Sequence, residues 1–387
     1  MQTLSQSPTD PVFVQDPYPF YARARAAGPL IWWEDYKMAC ATSHEAVNTI
    51  LRDRRFGREA PEELRPAIPD HLAPFYAVEA HSMLELEPPR HSRLRSLVLR
   101  AFTSRRIAAL KEGIGLLCQE LIDAFPEGEF DLLEAYARPL PVTIIARLLG
   151  VPEEMGPDLL RWSNAMVGMY MAGRTEADEA AAVAATEAFV SFMRGYVDAR
   201  RRDPRDDLIT SLIAAEEDGE RLSTDELITT CILLLNAGHE ATVHSLGNGV
   251  KAALEHGVRG GGEALVEEIM RYDPPLHLFT RYVYEEVDLF GHRFRRGDEV
   301  GLMLGSVGRD AAVNDVPETF DPGRAAATHL AFGAGLHFCV GAPLARMEME
   351  IALEALFQRC PGLRLAETPR YGDIYHFHGL ERLMVGV

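Results

Sequence analysis

The stretch Phe332-Gly333-Ala334-Gly335-Leu336-His337-Phe338-Cys339-Val340-Gly341 stands directly before an apolar-periodic run, residues 342–357, that predicts a helix. Its three glycines predict a backbone folded tightly enough to pass close to a flat, bulky group, since glycine takes positive φ at little cost. Cys339 would then lie near the start of the helix, where unpaired N–H groups and the helix dipole favour the thiolate, the form that binds a metal. A lone cysteine in such a loop is more often a small buried hydrophobic side chain, so the thiol alone leaves both interpretations open.

The composition is that of a globular protein. The chain has 387 residues, of which 47% are hydrophobic, and this is enough to bury a large core. No uninterrupted apolar run approaches the roughly 20 residues that a membrane span needs, and residues 1–16 lack the order of a secretion signal. We therefore expect a cytoplasmic protein that does not enter a membrane.

Charge and cysteine content argue against two further classes of protein. A formal net charge of −19 argues against nucleic acid as a partner, because that interaction requires a cationic surface. The five cysteines are odd in number and scattered, without a C-x-x-C pair, so neither a disulfide framework nor a zinc site is predicted. A reducing environment fits this pattern best.

A long helix is predicted in the middle of the chain. Ser223-Thr224-Asp225-Glu226 has the pattern of a capping box, and the helix that it starts can extend to about His256. Its apolar surface is interrupted at Ala237-Gly238-His239-Glu240-Ala241-Thr242. A buried carboxylate there is costly unless it is paired or has a chemical role, and the alternative is a helix that emerges into solvent.

The other elements are predicted from periodicity and turns, and no internal repeat or domain linker interrupts them. We expect a single domain, residues 1–387, that is mainly α with a minor β region. Helical segments are predicted at 111–136 (with a break near 126–128), 142–149, 159–171, 180–202 and 263–270, and extended segments at 30–33, 37–42, 276–281, 287–294 and 300–306, of which the first two are expected to form a small hairpin.

Taken together, these features resemble the cytochrome P450 family, the haem-thiolate monooxygenases. The loop at 332–341 shares with the family's haem-binding loop its phenylalanine, its spaced glycines, the histidine two residues before Cys339 and the glycine two residues after it, a strong similarity over ten positions. The resemblance continues in chain order through the helix after Pro88-Pro89, the groove at 237–242, the Glu268-Ile269-Met270-Arg271 helix and a hairpin at 377–380. It covers nearly the whole chain, and we expect no fused reductase domain.

The resemblance implies a single-domain P450-like fold that binds haem b. Cys339 would be the axial ligand, with Phe332 in the same loop, and the propionates would be bound by His91, Arg95, Arg281 and His337. On residue types alone, His91 and Arg95 form a solvated basic helix face. The implied reaction inserts one oxygen atom of O2 into a C–H bond of a small apolar organic substrate.

Proton delivery is where the sequence departs from the family. The resemblance assigns this role to Glu240 with water and Thr242, but the alcohol that usually follows the acid is Ala241 here. Thr242 is rotated by about 100° around the helix from that position and is a poor replacement. We expect a water chain held by Glu240, and a hydroxyl on the substrate is the alternative.

Substrate contacts are implied by position along the chain alone. The candidates lie in the segments with which the family contacts its substrates, and plain core packing is the alternative for each of them. They are Leu84, Met166, Val167, Leu234, Ala237, Leu278, Phe279 and Phe377. The glycine-rich connection at 257–262 is shorter than the family's, either because the protein is shortened there or because the sequence omits a segment.

The densest basic stretch of this acidic chain lies between residues 90 and 106. We expect an acidic ferredoxin, itself reduced by a ferredoxin reductase, to dock there, while exposed arginines without a partner are the alternative. The stretch contains Arg90, Arg93, Arg100, Arg105 and Arg106. Two other functions stay open: a peroxygenase that takes its oxygen atom from hydrogen peroxide, and a non-enzymatic haem sensor or carrier that would not need the Glu240 groove.

Overall fold

Helices dominate the computed structural model, which describes residues 1–171, 173–217, 219–375 and 377–387. The α-helices are α1 (Pro11–Gln15), α2 (Tyr18–Ala27), α3 (His44–Arg52), α4 (Ala73–Glu79), α5 (Arg90–Ala101), α6 (Ser104–Ala109), α7 (Lys111–Asp123), α8 (Pro139–Leu149), α9 (Gly156–Val167), α10 (Glu176–Arg202), α11 (Leu208–Ala214), α12 (Thr224–Glu255), α13 (Gly262–Tyr272), α14 (Leu304–Val307) and α15 (Ala342–Arg359). A π-helical turn covers Leu133–Ala137.

The β-strands are short, as expected of a minor β region. They are β1 (Gln2–Leu4), β2 (Leu30–Trp33), β3 (Met38–Ala41), β4 (Phe56–Gly57), β5 (Glu129–Asp131), β6 (Glu216–Glu217), β7 (Glu220–Arg221), β8 (Phe279–Val283), β9 (Val287–Leu289), β10 (His292–Phe294), β11 (Glu299–Leu302), β12 (Arg364–Leu365), β13 (Arg370–Tyr371), β14 (Leu380–Arg382) and β15 (Met384–Gly386). The predicted fold class is confirmed.

The chain packs as two compact units. The first consists of Met1–Leu64, Gly115–Ala137 and Ala241–Val387, and the second of Arg65–Ile114 and Arg138–Glu240. Apart from β6 and β7, all the strands given above belong to the first unit. Helix α12 contributes to both units, and the single domain expected from the sequence stays a prediction.

The main sheet of the first unit has the order β1-β2-β3-β11-β8-β4. Strands β2 and β3 form the predicted hairpin, in which Leu30 lies opposite Ala41. Strand β8 runs antiparallel to β11 and places Arg281 opposite Val300. The sheet therefore fixes the direction of the strand that carries one of the predicted basic residues.

Two predicted segments are wrong in part. The helical segment at 111–136 ends at Asp123, and strand β5 follows, paired with β15 through Phe130 and Val385. The extended segment at 300–306 ends at Leu302, and the short helix α14 follows. In the first case, a pairing with residues far along the chain overrides the local helical period.

The start of α12 is confirmed in detail. The Ser223 backbone N–H donates to Glu226 Oε2 at 2.8 Å, and the Glu226 N–H donates to Ser223 Oγ at 3.2 Å. These reciprocal bonds satisfy two backbone groups that a helix start leaves unpaired. The helix then continues without a break to Glu255.

Helix α13 carries a fully buried ion pair. Arg271 donates twice to the Glu268 carboxylate at 2.7 Å, and neither side chain is exposed. Its other N–H groups donate to the carbonyls of Gly308, Pro317 and Thr319. Gly308 approaches so closely that an added Cβ would lie 1.9 Å from the Arg271 carbonyl oxygen. The pair is therefore structural, because it fixes a long segment of irregular backbone.

Glu348 on α15 generates a prediction about stability. The side chain is 2% exposed, and burial raises its pKa from 4.5 to about 8. Between these two pH values Glu348 is ionised in the unfolded chain but protonated in the folded protein. The free energy of unfolding therefore falls by up to about 1.4 kcal/mol for each unit that the pH rises. Glu348→Gln should therefore raise the free energy of unfolding, relative to the parent protein, at pH 8 and much less at pH 4.5.

Denaturant titrations at both pH values measure this difference. Glu354→Gln, on the exposed face of the same helix, is the matched control and should leave the pH dependence unchanged. An identical pH dependence in the two variants would show that Glu348 does not titrate as its burial indicates.

Candidate active site

The loop at residues 332–341 folds back on itself ahead of α15. The Cys339 N–H donates to the Phe332 carbonyl oxygen at 3.0 Å. Gly333 and Gly335 have φ values of +69° and +67°, which L side chains rarely adopt. An added Cβ at Gly335 would lie 2.4 Å from the Leu51 carbonyl oxygen. The tight backbone predicted from the glycines is therefore present.

Cys339 differs from the other four cysteines in its exposure. Burial raises the pKa of Cys40 and Cys231 to about 12 and that of Cys118 to about 11. Cys360 is likewise buried, and its pKa is raised by burial. Cys339 alone is only partly buried, and it precedes the start of α15, where the helix dipole favours a thiolate. The donor chemistry therefore fits a metal ligand at Cys339, while the other thiols are core side chains.

A charged cluster holds the loop from one side. The guanidinium carbon of Arg346 lies 4.4 Å from the centre of the Phe332 ring, and Arg346 Nε donates to Glu267 at 2.5 Å. His329 Nε2 lies 3.1 Å from the same carboxylate. Burial raises the pKa of Glu267, but the bonds to His329 and Arg346 outweigh it and lower the pKa to about 2. The ionised Glu267 thus orients Arg346, which packs over Phe332.

Strand β8 passes beside the loop. An added Cβ at Gly333 would lie 3.8 Å from the Phe279 ring and from the His337 carbonyl oxygen. Arg281 is 3% exposed, and its guanidinium carbon lies 5.8 Å from the centre of the Phe279 ring. Leu278 is buried in a hydrophobic cluster of the first unit. The first unit therefore brings the loop, with Phe332, His337 and Cys339, alongside Phe279.

Phe377 is placed by two contacts within the first unit. It forms an isolated antiparallel β-bridge with Leu276, two residues before Leu278. Its ring lies 5.4 Å from that of His244 on α12. Phe377 thus contacts both the segment before β8 and helix α12, which lie more than 90 residues earlier in the chain.

The second unit contains most of the other predicted site residues, and Ala241 and Thr242 on α12 belong to the first. His91 on α5 is buried, so the solvated face inferred from residue types alone is wrong for this side chain. Met166 is also buried, and Asn236 Nδ2 lies 3.8 Å from its sulfur. Arg95, Val167 and Leu234 are partly buried, whereas Leu84 and Ala237 are exposed. Among the apolar candidates of the second unit, Met166 is therefore a core residue.

Glu240 on α12 is mostly buried, with 18% of its side chain exposed. With the Asn164 amide oriented so that its nitrogen faces an acceptor, Nδ2 donates to Glu240 Oε1 at 2.6 Å and to the Leu160 carbonyl at 3.3 Å. The Asn164 side chain on α9 therefore orients the carboxylate. Sequence reasoning missed Asn164, because nothing in its neighbourhood connects it to a residue 76 positions away.

Ala241 and Thr242 face different surroundings. Ala241 is partly exposed, whereas Thr242 is buried, as the rotation of about 100° per residue predicts. The hydroxyl of Ser245 donates to the Ala241 carbonyl oxygen at 2.7 Å. The side-chain alcohols next to Ala241 along the helix are thus buried or bonded to backbone.

Asp273, His277 and His378 form a buried cluster that the sequence did not reveal. Each offers a ligand atom, and these atoms lie within 4.8 Å of one another, as in some metal sites. The two imidazole rings stack with centroids 4.5 Å apart and planes 30° apart, so their lone pairs do not converge on one point. We therefore interpret the cluster as a hydrogen-bonded network and not as a metal centre.

Two arginines of the basic stretch have partners. Arg93 binds Glu226 and lies 3.2 Å from Glu220, and Arg106 lies 3.1 Å from Asp206. For Arg93 and Arg106 the alternative of exposed arginines without a partner is therefore wrong. Arg90, Arg100 and Arg105 have exposed side chains.

The comparisons with known proteins agree with this architecture of a helical fold and a thiolate loop. A family model described as cytochrome P450 matches residues 263–365. Cytochrome P450 monooxygenase PikC of Streptomyces venezuelae is 38% identical over 373 residues, which cover 92% of this chain and 87% of that protein. The 6-deoxyerythronolide B hydroxylase of Saccharopolyspora erythraea is 34% identical over 387 residues, covering 94% and 93%. The crystal structure of P450BioI, in complex with an acyl carrier protein ligated to hexadec-9Z-enoic acid, has a TM-score of 0.91 and 31% identity, covering 97% of this chain and 99% of that one.

The chain therefore belongs to the cytochrome P450 family. It is an oxidoreductase, a haem monooxygenase, and its cofactor is haem, iron protoporphyrin IX. The partly buried thiol of Cys339 suits that cofactor, whereas the four buried thiols do not. Within the described residues, every helix is too short or too polar to span a lipid bilayer.

The exposure of the five cysteines predicts that Cys339 is the axial ligand. Cys339→Ser should abolish the red-shifted Soret band that carbon monoxide induces in the reduced protein, because that band requires a thiolate ligand. Cys360→Ala, which removes a buried thiol at the end of α15, is the control and should retain the band. If the band survived in Cys339→Ser, Cys339 would not be the haem ligand and the candidate site would be wrong.

Proposed function

We propose that the protein inserts one oxygen atom of O2 into a C–H bond of a small apolar organic substrate, with electrons from a ferredoxin. The observation that carries this proposal is the single partly buried thiol, Cys339, in the glycine-rich loop directly before α15. When bound, haem b supplies a thiolate-ligated iron at which O2 is activated.

For the propionates of haem b we propose the basic side chains that the sequence singled out. These are Arg281 and His337 in the first unit and His91 and Arg95 in the second. Arg281 supports the proposal, because its buried guanidinium lies beside Phe279, next to the thiolate loop, and a guanidinium is a strong carboxylate ligand. Phe332, held from one side by Arg346, would pack near the thiolate.

Proton delivery is proposed for Glu240 with ordered water. The carboxylate is mostly buried but keeps some exposure, so it can exchange a proton with water, and Asn164 orients it by a hydrogen bond. Thr242 is buried and faces elsewhere, which argues against direct proton donation by its hydroxyl. A hydroxyl on the substrate is the alternative, because the Ala241 methyl cannot donate a proton.

Glu240→Gln should uncouple the enzyme, since an amide keeps the shape of the carboxylate but cannot relay a proton. We expect product per NAD(P)H consumed to fall by about tenfold or more, with release of peroxide. Glu255→Gln, an exposed substitution near the end of the same helix, is the control. Ala241→Thr should leave coupling unchanged or improve it.

The same measurement with a hydroxyl-bearing substrate and its deoxy analogue separates the two routes. Normal coupling in Glu240→Gln would rule out the Glu240 carboxylate as the group that relays the proton. Loss of coupling only with the deoxy analogue would assign proton delivery to the substrate.

For the substrate we propose an apolar molecule. Leu84, Val167, Leu234 and Ala237 are apolar side chains of the second unit that keep solvent exposure, and such side chains favour an apolar ligand. In the first unit, Phe279 and Phe377 are partly buried and serve the same purpose. Met166 and Leu278 are buried and would act by supporting their neighbours.

The electron source is proposed to be an acidic ferredoxin that docks on the exposed arginines. Arg100 and Arg105 have exposed side chains in the basic stretch and are the candidates for this contact. A peroxygenase is the second candidate function, and Ala241 favours it, because a peroxide-driven reaction does not need the usual proton-delivering alcohol.

A cytoplasmic location is supported by the absence of disulfides among the five cysteines.

Turnover with ferredoxin and its reductase, with hydrogen peroxide, and with neither distinguishes these functions. We expect product with the ferredoxin system, at a rate that falls as salt rises, because the docking is electrostatic. Arg100→Glu combined with Arg105→Glu should raise the ferredoxin concentration for half-maximal rate by about tenfold.

Arg161→Glu reverses an exposed charge on α9 and is the control. Product with peroxide alone would favour the peroxygenase, and no product under any condition would favour the haem sensor or carrier. Unchanged ferredoxin kinetics in the double variant would place the docking surface elsewhere.

A further inference from the structure

A carboxylate at the end of α13 binds two residues of the C-terminal segment 371–379. Asp273 Oδ1 accepts hydrogen bonds from the Tyr18 hydroxyl at 2.7 Å and from His378 Nδ1 at 2.8 Å. Its Oδ2 accepts from the Tyr371 hydroxyl at 2.6 Å. The rings of Tyr371 and His378 stack, with centroids 3.7 Å apart and planes 14° apart. We call Asp273, Tyr18, Tyr371 and His378 the Asp273 hub.

Asp273, the acceptor at the centre of the hub, is ionised at neutral pH. Burial raises the pKa of Asp273, but His378 and His277 outweigh it and hold the pKa well below 3.8. Burial and the neighbouring His378 lower the pKa of His277 to about 4, so that ring is neutral. Hydrogen bonds to a buried charged acceptor are stronger than neutral ones, so the segment is bound firmly at this point.

Backbone contacts extend this attachment to Phe377. The His378 N–H donates to the Pro275 carbonyl at 2.8 Å, and Asn248 Nδ2 donates to the His378 carbonyl at 2.7 Å. The neighbouring Phe377 pairs with Leu276. The backbone at Phe377 and His378 is therefore fixed against the segment that leads into β8.

Little space remains for Phe377 to shift along the segment. An added Cβ at Gly379 would lie 2.0 Å from His244 Nδ1, so the backbone lies against this imidazole. The His244 ring also contacts that of Phe377. The position of Phe377 is thus set from both sides, by the hub and by α12.

We infer that the Asp273 hub sets the position of Phe377 opposite the segment 276–279 and thereby determines which substrates the enzyme accepts. Asp273, Tyr371 and His378 act as positioning residues, because they orient Phe377 and do not themselves meet the reacting atoms. The inference deepens the proposed function and rests on it for the contact between Phe377 and substrate.

Conservative variants separate the hydrogen bonds of the hub from its packing. Tyr371→Phe removes one donor to Asp273 and keeps the ring. His378→Phe keeps a ring that can stack but removes the Nδ1–H donor, whereas His378→Asn restores an N–H donor near that position. Tyr375→Phe is the matched control, since this hydroxyl bonds to Tyr21 and not to Asp273.

The probes are imidazole and 4-phenylimidazole, which bind ferric haem through nitrogen and shift the Soret band. The ratio of their dissociation constants reports the space beside the iron and needs no known substrate. We expect Tyr371→Phe and His378→Phe to change this ratio by about fivefold or more, because each loses a hydrogen bond to a buried charge. His378→Asn and Tyr375→Phe should stay within about twofold of the parent protein.

Hydrogen exchange of the holoprotein gives a readout that does not depend on ligand binding. The amides of Gly372 and His378, which donate to the Gly379 and Pro275 carbonyls, should exchange faster in Tyr371→Phe and His378→Phe than in Tyr375→Phe. The inference would be overturned if the ratio of dissociation constants in Tyr371→Phe and His378→Phe differed by less than about twofold from the ratio in Tyr375→Phe. This holds even if the two amides exchanged faster. Failure of the proposed function would instead be seen in the parent protein, as the absence of product with the ferredoxin system, while the two imidazoles would still bind and report their ratio.

Discussion

The buried ion pair between Glu268 and Arg271 is the interaction on which the candidate site most depends. Taking two charges out of water costs several kcal/mol, and here further hydrogen bonds offset that cost, because the remaining N–H groups of Arg271 meet three backbone carbonyls. The adjacent Glu267 binds Arg346, which packs over Phe332 in the thiolate loop. A single helical turn of α13 therefore holds both the irregular segment before the loop and the helix after it. These charged contacts therefore help to fix the loop that carries the thiol.

Local sequence signals predicted the parts of the fold that depend on short-range physics. The capping box at Ser223, the β2–β3 hairpin and the glycine-dependent loop before α15 each depend on contacts within a few residues, and all three are present. Strand β5 was missed, because its pairing partner β15 lies about 250 residues further on and no local pattern encodes it. Helix α14 was missed for the opposite reason: four residues are too few to show a period.

The candidate site divides in the same way. The thiol of Cys339 and the carboxylate of Glu240 stood out because each is an unusual residue in its immediate setting. Asn164 and the Asp273 hub did not stand out, since their meaning lies in hydrogen bonds that link residues 76 and 105 positions apart. The charge of Arg93 was visible in the sequence, whereas its partner Glu226 became visible only in the fold.

Gly308 has a consequence for how the enzyme can change over generations. The atom that an added Cβ would meet, at 1.9 Å, is a backbone oxygen, so neither a rotamer change nor a compensating side-chain substitution can make room for it. At Gly238 the corresponding obstacle is the terminal methyl of Ile145, at 2.8 Å, which a smaller side chain would remove. A mutant library that diversified both glycines would lose nearly all variants at the first position and keep viable pairs at the second. A side chain at position 238 is therefore accessible together with a smaller residue at position 145, whereas position 308 accepts glycine alone.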